Sequence, residues 1–386
     1  MTSELLNQVP LAYSKSKALY HEDKIMDLKR GRSIIPTEIQ IDPEAFCNDN
    51  CEFCSYRKED GYNNEMLRML GDEAKPSDDH KAIGRPGIDS RIPKDILLDV
   101  PFQMVDAGIP AIEITGGGEP TLHPNFEQFY KNCGECGLDI GLVTNGSRLN
   151  DNIINMIKKH GQWVRISMDS SNPETHKKIH RTPNYDFEKR LMNIKKLVNA
   201  KPDTLTVGIS FIITPDNVHD IEDAARLFSR IGVDHIRFSW MFDKQGTAGL
   251  TAEQIEWIGE TIPALQTELN RDDFQIFNEK NRIQLYTAKN EFKTCNFQRF
   301  VIAIGADCGL YPCCIMKYNK DFQYGNLKDH KLEDIVKSWN TEKFMQNLNP
   351  KSCYPCWLSD RNKSITEAIA DPSYEPIEKP VHPNFI

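Results

Sequence analysis

The chain has 386 residues, 39% of them hydrophobic, and a formal net charge of −9 with no polybasic block. That is enough apolar material for one large domain plus a smaller one, and it argues against a disordered chain and against a general binder of nucleic-acid backbones. The start Met1-Thr-Ser-Glu-Leu-Leu6 has neither a basic segment nor an apolar stretch after it, and no window approaches the ~18 apolar residues of a membrane span. A cytoplasmic protein without membrane contact is expected. Eleven cysteines in such a chain point to metal ligands and reduced thiols rather than disulfides.

Residues 1–35 are polar, with short apolar pairs such as Leu5-Leu6, and read as an N-terminal extension packed on the main domain. Thr37-Glu-Ile-Gln-Ile41 has strand character and leads into Cys47-Asn-Asp-Asn-Cys51-Glu-Phe-Cys54. Residues 56–91, rich in Gly, Pro and charge, form a long insertion loop that either caps a site or is a solvated surface feature. From Pro93 a helix carrying Ile96, Leu97, Val100, Met104 and Val105 precedes the strand Ala111–Thr115, with Pro101 expected to kink or restart that helix.

Strands follow at Ile140–Thr144, Trp163–Met168, Leu205–Ile213 and His235–Ser239, with helical stretches at Leu149–Lys159, Phe187–Val198 and Asp220–Ile231 between them. This alternation builds a parallel sheet in an α/β domain over residues 36–245. Six strands are visible, fewer than the eight of a closed barrel. Residues 246–290 read as a helical linker whose main helix, Thr251–Leu269, has apolar residues at 3- and 4-residue steps, a Thr251/Gln254 capping box and a kink at Pro263. Residues 291–360 hold a second set of cysteines. Residues 361–386 form a tail, expected to lie extended on the surface from Asp371 onward because of Pro372, Pro376, Pro380 and Pro383.

Three thiolates on one short loop, Cys47, Cys51 and Cys54, can hold three irons of a [4Fe–4S] cube, and no fourth cysteine follows closely enough to hold the last. One iron is then open to a small ligand. The C-x3-C-x2-C spacing is not usual for zinc, and a zinc site would want a fourth ligand nearby. Gly116-Gly-Gly-Glu119-Pro-Thr follows one strand, Thr144-Asn145-Gly146 ends the next, and Ser167-Met-Asp169 ends the one after. Polar residues at the carboxyl ends of successive parallel strands point into one crevice. Any one of them is equally readable as a turn residue capping a helix.

These motifs, in this order, resemble the radical SAM superfamily over about residues 37–360. The resemblance implies a partial (β/α)6 TIM-like barrel in which the open iron chelates the amino and carboxylate groups of S-adenosylmethionine, whose reductive cleavage gives a 5′-deoxyadenosyl radical that abstracts hydrogen from a substrate. It implies that Gly116, Gly117, Gly118 and Glu119 hold the amino group, that Ser167, with Asp169, lies near the ribose, and that Arg181 in His176–Arg181 contacts the methionyl carboxylate. Thr144 and Asn145 belong to the same cofactor crevice. An electron donor such as a flavodoxin or ferredoxin is implied as partner.

The second set is Cys295, Cys308, Cys313, Cys314, Cys353 and Cys356. The turn Asp307–Cys313, the following Tyr324-Gly-Asn-Leu-Lys and the pair Cys353-Tyr-Pro-Cys356 resemble the auxiliary-cluster domains called SPASM and twitch. The resemblance implies Cys295, Cys313, Cys353 and Cys356 as ligands of one auxiliary [4Fe–4S] cluster. Cys308 and Cys314 remain as buried thiols, substitute ligands or hydrogen donors. Cys133-Gly-Glu-Cys136 has no third or fourth partner nearby and is not expected to bind metal.

The expected function is that of a radical SAM oxidoreductase or isomerase acting on a small polar substrate, with the auxiliary cluster as electron acceptor or relay. Alternatives are a redox-neutral epimerase or dehydratase, and peptide modification, against which stand the short N-terminal region and the single auxiliary cluster. A non-enzymatic iron–sulfur sensor would leave the glycine motif and polar strand ends without purpose.

Overall fold

The computed structural model describes residues 14–54, 91–183, 185–241, 249–278, 292–318, 320–339, 356 and 358–386. The insertion loop 56–91, apart from Arg91, and Cys353 lie outside the described residues.

The short apolar runs become strands β1 (Glu38–Ile41), β2 (Ala111–Ile114), β3 (Asp139–Thr144), β4 (Gly161–Ser167), β5 (Thr206–Ile213), β6 (His235–Trp240), β7 (Gln275–Asn278), β8 (Val301–Ile304), β9 (Gly309–Tyr311) and β10 (Gly325–Asn326). They form one open sheet in the order β10-β9-β8-β1-β2-β3-β4-β5-β6-β7. Strands β1 to β8 are parallel, and β9 and β10 turn back antiparallel. The architecture is an α/β partial barrel with a smaller cysteine-bearing region at its C-terminal side.

Two strands exceed the six expected in the barrel. β7, in the stretch read as a helical linker, is too short to show an alternation. β8, from the second cysteine region, pairs with β1 in register Glu38↔Val301 to Ile41↔Ile304, so the sheet runs without a break into that region.

Helices α1 (Glu22–Lys29), α2 (Lys94–Ala107), α3 (Phe126–Glu135), α4 (Asp151–His160), α5 (Pro173–His180), α6 (Asp186–Ala200), α7 (Ile221–Ile231), α8 (Ala252–Leu269), α9 (Leu332–Trp339) and α10 (Ser359–Ala370) complete the described elements. Helix α2 does not restart at Pro101; it runs to a left-handed cap at Gly108. Helix α8 opens on the expected capping box, with Thr251 N donating to Gln254 Oε1 at 2.9 Å and Gln254 N donating to Thr251 Oγ1 at 3.3 Å.

Alternation along the strands divides the sheet into two faces. Ile39, Ile112, Ile140, Val164, Ile209 and Ile236 are buried in the main apolar core with the helices. The opposite face carries Gln40, Glu113, Trp163, Arg165 and His235, which line a common cavity in the barrel lumen.

A second core joins Ala18, Ile25 and Leu28 to Phe297, Phe300, Leu358 and Ile365. The described part of the N-terminal extension, from Ser14, packs on the C-terminal region, with α1 against α10 and Lys15 paired with Asp360, and it also reaches the barrel, where Lys17 lines the lumen cavity.

The tail, expected to be extended over residues 361–386, also departs from expectation, because residues 361–370 belong to helix α10, whose Ile365 and Ala368 are buried against the second core. Phe385 and Ile386 are only 7% and 6% exposed, because residues 382–386 close the amino end of the barrel. His382 Nε2 and Thr206 Oγ1 are 2.9 Å apart, Asn384 Nδ2 donates to Asp139 at 2.7 Å, and Ile386 N donates to Glu38 at 2.8 Å. Phe385 stands edge-on to Trp163 with ring centroids 5.3 Å apart. A proline-rich composition says the chain is extended, not what covers it. Phe385→Ala should lower unfolding free energy by about 2–4 kcal/mol in denaturant melts, whereas Val381→Ala, at an exposed position, should change it by less than about 0.5 kcal/mol.

Candidate metal centres and cofactor site

The loop Cys47–Cys54 leaves the carboxyl end of β1 and is gripped from two sides. On the first side lies the glycine turn after β2. Glu119 N donates to Phe46 O at 2.9 Å, and a Cβ on Gly118 would stand 2.1 Å from that same Phe46 oxygen. Only glycine permits this approach, so the glycine motif and the cysteine loop are packed backbone to backbone. A Cβ on Gly116 would meet the carbonyl oxygen of Gly118 at 2.4 Å, which fixes the turn itself.

Glu119 is buried, and its carboxylate is held by the protein. Oε1 accepts from Thr121 N at 3.1 Å, Thr121 Oγ1 at 2.5 Å and Thr144 Oγ1 at 2.6 Å, and Oε2 accepts from Asn145 N at 2.7 Å. Burial raises its pKa above the usual carboxylate range against the opposing effect of these donors. Asn145 in turn donates through Nδ2 to Asn48 Oδ1 at 2.9 Å, and Asn48 donates to Ser147 Oγ at 3.0 Å. The sequence-expected residues Glu119, Thr144 and Asn145 are thus one hydrogen-bonded unit that fastens the loop to the end of β3.

On the second side lies α5. Asn50 N and Glu52 N donate to the carbonyls of His180 and Ile179 at 3.0 and 3.1 Å. These are terminal carbonyls of a helix, which need outside donors. His180 Nδ1 lies 3.1 Å from Cys51 Sγ. Asp49 is buried between them and accepts from Arg190 of α6 through both oxygens, at 2.8 and 2.5 Å. Arg190 is fully buried and also pairs with Asp186. Burial alone would raise the Asp49 pKa, but hydrogen bonds from His180 and Arg190 hold it well below the usual carboxylate range.

Ser167 ends β4, half-buried, in register with Ser210 of β5. Asp169 is fully buried with φ 49°, a strained conformation for a non-glycine residue. Its Oδ1 accepts from Ile212 N at 2.5 Å, its carbonyl accepts from Asn217 Nδ2 at 2.9 Å, and its Oδ2 lies 3.3 Å from His180 Nε2. Arg181 caps α5 in a left-handed conformation, and its side chain is exposed beside Lys177 and Lys178, outside this buried network.

Sequence reading missed Asp49, His180, Arg190 and Asn48. Two of them sit inside the cysteine motif, where an acid and an amide between ligands are a signal for loop anchoring. Their partners are not readable, since Arg190 is 141 positions from Asp49.

In the C-terminal region Cys295, Cys313 and Cys356 line one apolar cavity. Cys308 does not join them. It is fully buried in the main sheet core with φ 66°, at the turn between β8 and β9. Cys314 is adjacent to Cys313 and packs on the second core, and burial pushes its thiol up to about 11.

The donor sets fit iron–sulfur clusters. Cys47, Cys51 and Cys54 are half-buried on one anchored loop. Burial, then the charge of Asp49, pushes the Cys47 thiol up to about 12, so a thiolate there requires a cation against it.

Replacing Arg190 by methionine would leave Asp49 buried without its cation. The expected cost is about 3–5 kcal/mol of stability, read by denaturant melts of the metal-free protein. Arg190→Met with Asp49→Asn should recover much of it.

Residues 43–228 match the Radical SAM superfamily, and residues 295–357 match the SPASM iron-sulfur cluster-binding domain. The chain is 26% identical over 274 residues to the tungsten-containing aldehyde ferredoxin oxidoreductase cofactor-modifying protein of Pyrococcus furiosus, covering 64% of this chain and 73% of that one. It is 25% identical over 193 residues to an S-adenosylmethionine-dependent nucleotide dehydratase of Flammeovirga pacifica, covering 50% and 59%. Its fold is similar to that of Streptococcus suis SuiB bound to S-adenosylmethionine, with a TM-score of 0.57 and 14% identity over 84% of this chain and 70% of that one. Its cofactors are a [4Fe–4S] cluster, S-adenosylmethionine and an auxiliary iron–sulfur cluster. The chain belongs to the radical SAM superfamily and carries a C-terminal SPASM-type iron–sulfur domain.

Proposed function

We propose that this protein is a radical SAM oxidoreductase or isomerase that removes hydrogen from a small polar substrate in the barrel lumen, with the auxiliary cluster as electron acceptor or relay. The observation that carries this reading is the anchored Cys47–Cys54 loop, held against the glycine turn at the carboxyl ends of β1 to β4. When bound, the cluster and S-adenosylmethionine supply a reductive cleavage that creates an organic radical.

The chain's own residues do the positioning. Cys47, Cys51 and Cys54 hold three irons. The backbone of Gly116–Gly118 offers hydrogen-bonding groups to the amino group, while Glu119, tied to Thr121, Thr144 and Asn145, keeps that backbone in place. Ser167 presents a hydroxyl to the ribose. Asp169 clamps β5 to His180, and so indirectly positions Cys51. Arg181, exposed at the end of α5, supplies a cation for the methionyl carboxylate. Cys295, Cys313, Cys353 and Cys356 hold the auxiliary cluster.

The protein works in the cytoplasm with a flavodoxin or ferredoxin as electron donor; among the described residues no helix is long and apolar enough to cross a membrane. A redox-neutral dehydration is the second reading, supported by the similarity to the nucleotide dehydratase.

The anaerobically reconstituted, reduced protein should convert S-adenosylmethionine to 5′-deoxyadenosine and methionine, and alanine at Cys47, Cys51 and Cys54 should abolish this. Product from the triple variant would refute the ligand assignment. The intact protein should hold about eight irons, falling to about four without Cys353 and Cys356, and Cys308→Ser should leave the count unchanged. An oxidoreductase should turn over without net external electrons, provided that the auxiliary cluster returns the electron to the donor cluster.

A further inference from the structure

The lumen face of β4 to β6 carries two arginines, Arg165 and Arg237. Arg165 of β4 is in register with Gly208 of β5, which is in register with His235 of β6. One row nearer the cluster, Ser167, Ser210, Arg237 and Phe277 are in register across β4 to β7. With strands roughly 4.8 Å apart, the two arginine backbones are on the order of 10–12 Å apart, close enough for long side chains to converge over β5.

The residues between them make room. A Cβ on Gly208 would stand 1.9 Å from His235 Nε2, so the imidazole lies across the glycine and fills the lower lumen. A Cβ on Gly141 would stand 2.3 Å from the Trp163 ring, which covers β3 in the same way. Trp163 rests on Phe385, and Arg165 lies over Trp163 at 5.4 Å. The floor is therefore Trp163, His235 and residues 382–386. Above it, Ser167 and Ser210 are small hydroxyl residues next to Arg237.

Lys17, Glu38, Glu113, Arg165 and Arg361 line the cavity together, and Glu113 lies 4.0 Å from Arg165. Glu38, deeper, accepts from Ile386 N. His235 is held neutral: burial first, then the charges of Arg237 and Arg165, lower its pKa to about 3.

We propose that Arg165 and Arg237 form the seat for an anionic group of the substrate, a carboxylate or a phosphate, with residues 382–386 as the floor beneath it. The guanidinium fork suits both groups through paired N–H bonds, and a low-dielectric lumen strengthens them. This proposal rests on the radical SAM reading, because it makes the lumen a substrate chamber.

The test is calorimetric titration of the reconstituted protein, with S-adenosylmethionine present and at low ionic strength, using inorganic phosphate in one arm and acetate in the other. Saturable binding of at least one is expected, weakened tenfold or more in Arg165→Gln and in Arg237→Gln and unchanged in Lys158→Gln, an exposed position on α4. No saturable binding, or binding that survives both arginine variants, overturns the proposal.

Hydrogen exchange of the unmodified protein keeps the test independent of how the variants fold. The ligand should protect amides of β4 to β6 and residues 382–386, and protection confined to other surfaces overturns the seat. Cleavage of S-adenosylmethionine is measured on the same preparation. Its absence refutes the broader reading, whereas cleavage without anion binding refutes the seat alone.

Discussion

The structure depends on a buried ion pair, Asp49 with Arg190. The cysteine loop is short, polar and without regular secondary structure, so it has no hydrogen-bond ladder of its own to define it. Arg190, fully buried, grips both oxygens of Asp49 and binds Asp186 on its own helix. A buried pair of this kind adds little net stability over an apolar one, but breaking it leaves an uncompensated charge. The loop is therefore tied to α6 in one arrangement, and deviations from it carry a high cost. The glycine turn sets the opposite wall by sterics, and His180 closes the third side against Cys51.

Sheet topology carries this local order to the second cysteine region. β8 extends the parallel sheet on the far side of β1, directly beside the strand that leads into the cysteine loop. At the end of β1, Asp42 accepts from Lys317 Nζ at 2.6 Å through each oxygen and from Tyr318 Oη at 2.9 Å, all in the interior. The strand that delivers Cys47 and the segment that follows Cys313 and Cys314 thus share a buried ionic contact. The two cysteine sites are parts of one framework.

The lumen differs from the helix-covered face of the sheet. There, the inward side chains are apolar and packed; the lumen mixes charged and polar side chains with the rings of Trp163 and His235. Glycines at 141 and 208 admit Trp163 and His235, and residues 382–386 seal the amino end. Closure of the amino end shields that side of the lumen from water.

The sequence alone determined the features that are local or periodic: the cysteine spacing, the helix and strand alternation, the Thr251 capping box and the polar strand ends. Each follows from neighbours within a few residues or from a fixed repeat. Strand β7 escaped because four residues give no period, and α2 runs through Pro101 without restarting, with Val100 and Met104 buried on either side of it. Tertiary structure decided the pairing of distant polar groups. Asp49 finds Arg190, Cys308 goes into the sheet core while Cys313 and Cys356 meet in the second, helix α1 docks on α10, and the proline-rich tail becomes the floor of the barrel. The physical reason is that a charge, a thiol or a proline carries the same local preference wherever it stands. Its partner is set by which surfaces the fold removes from water.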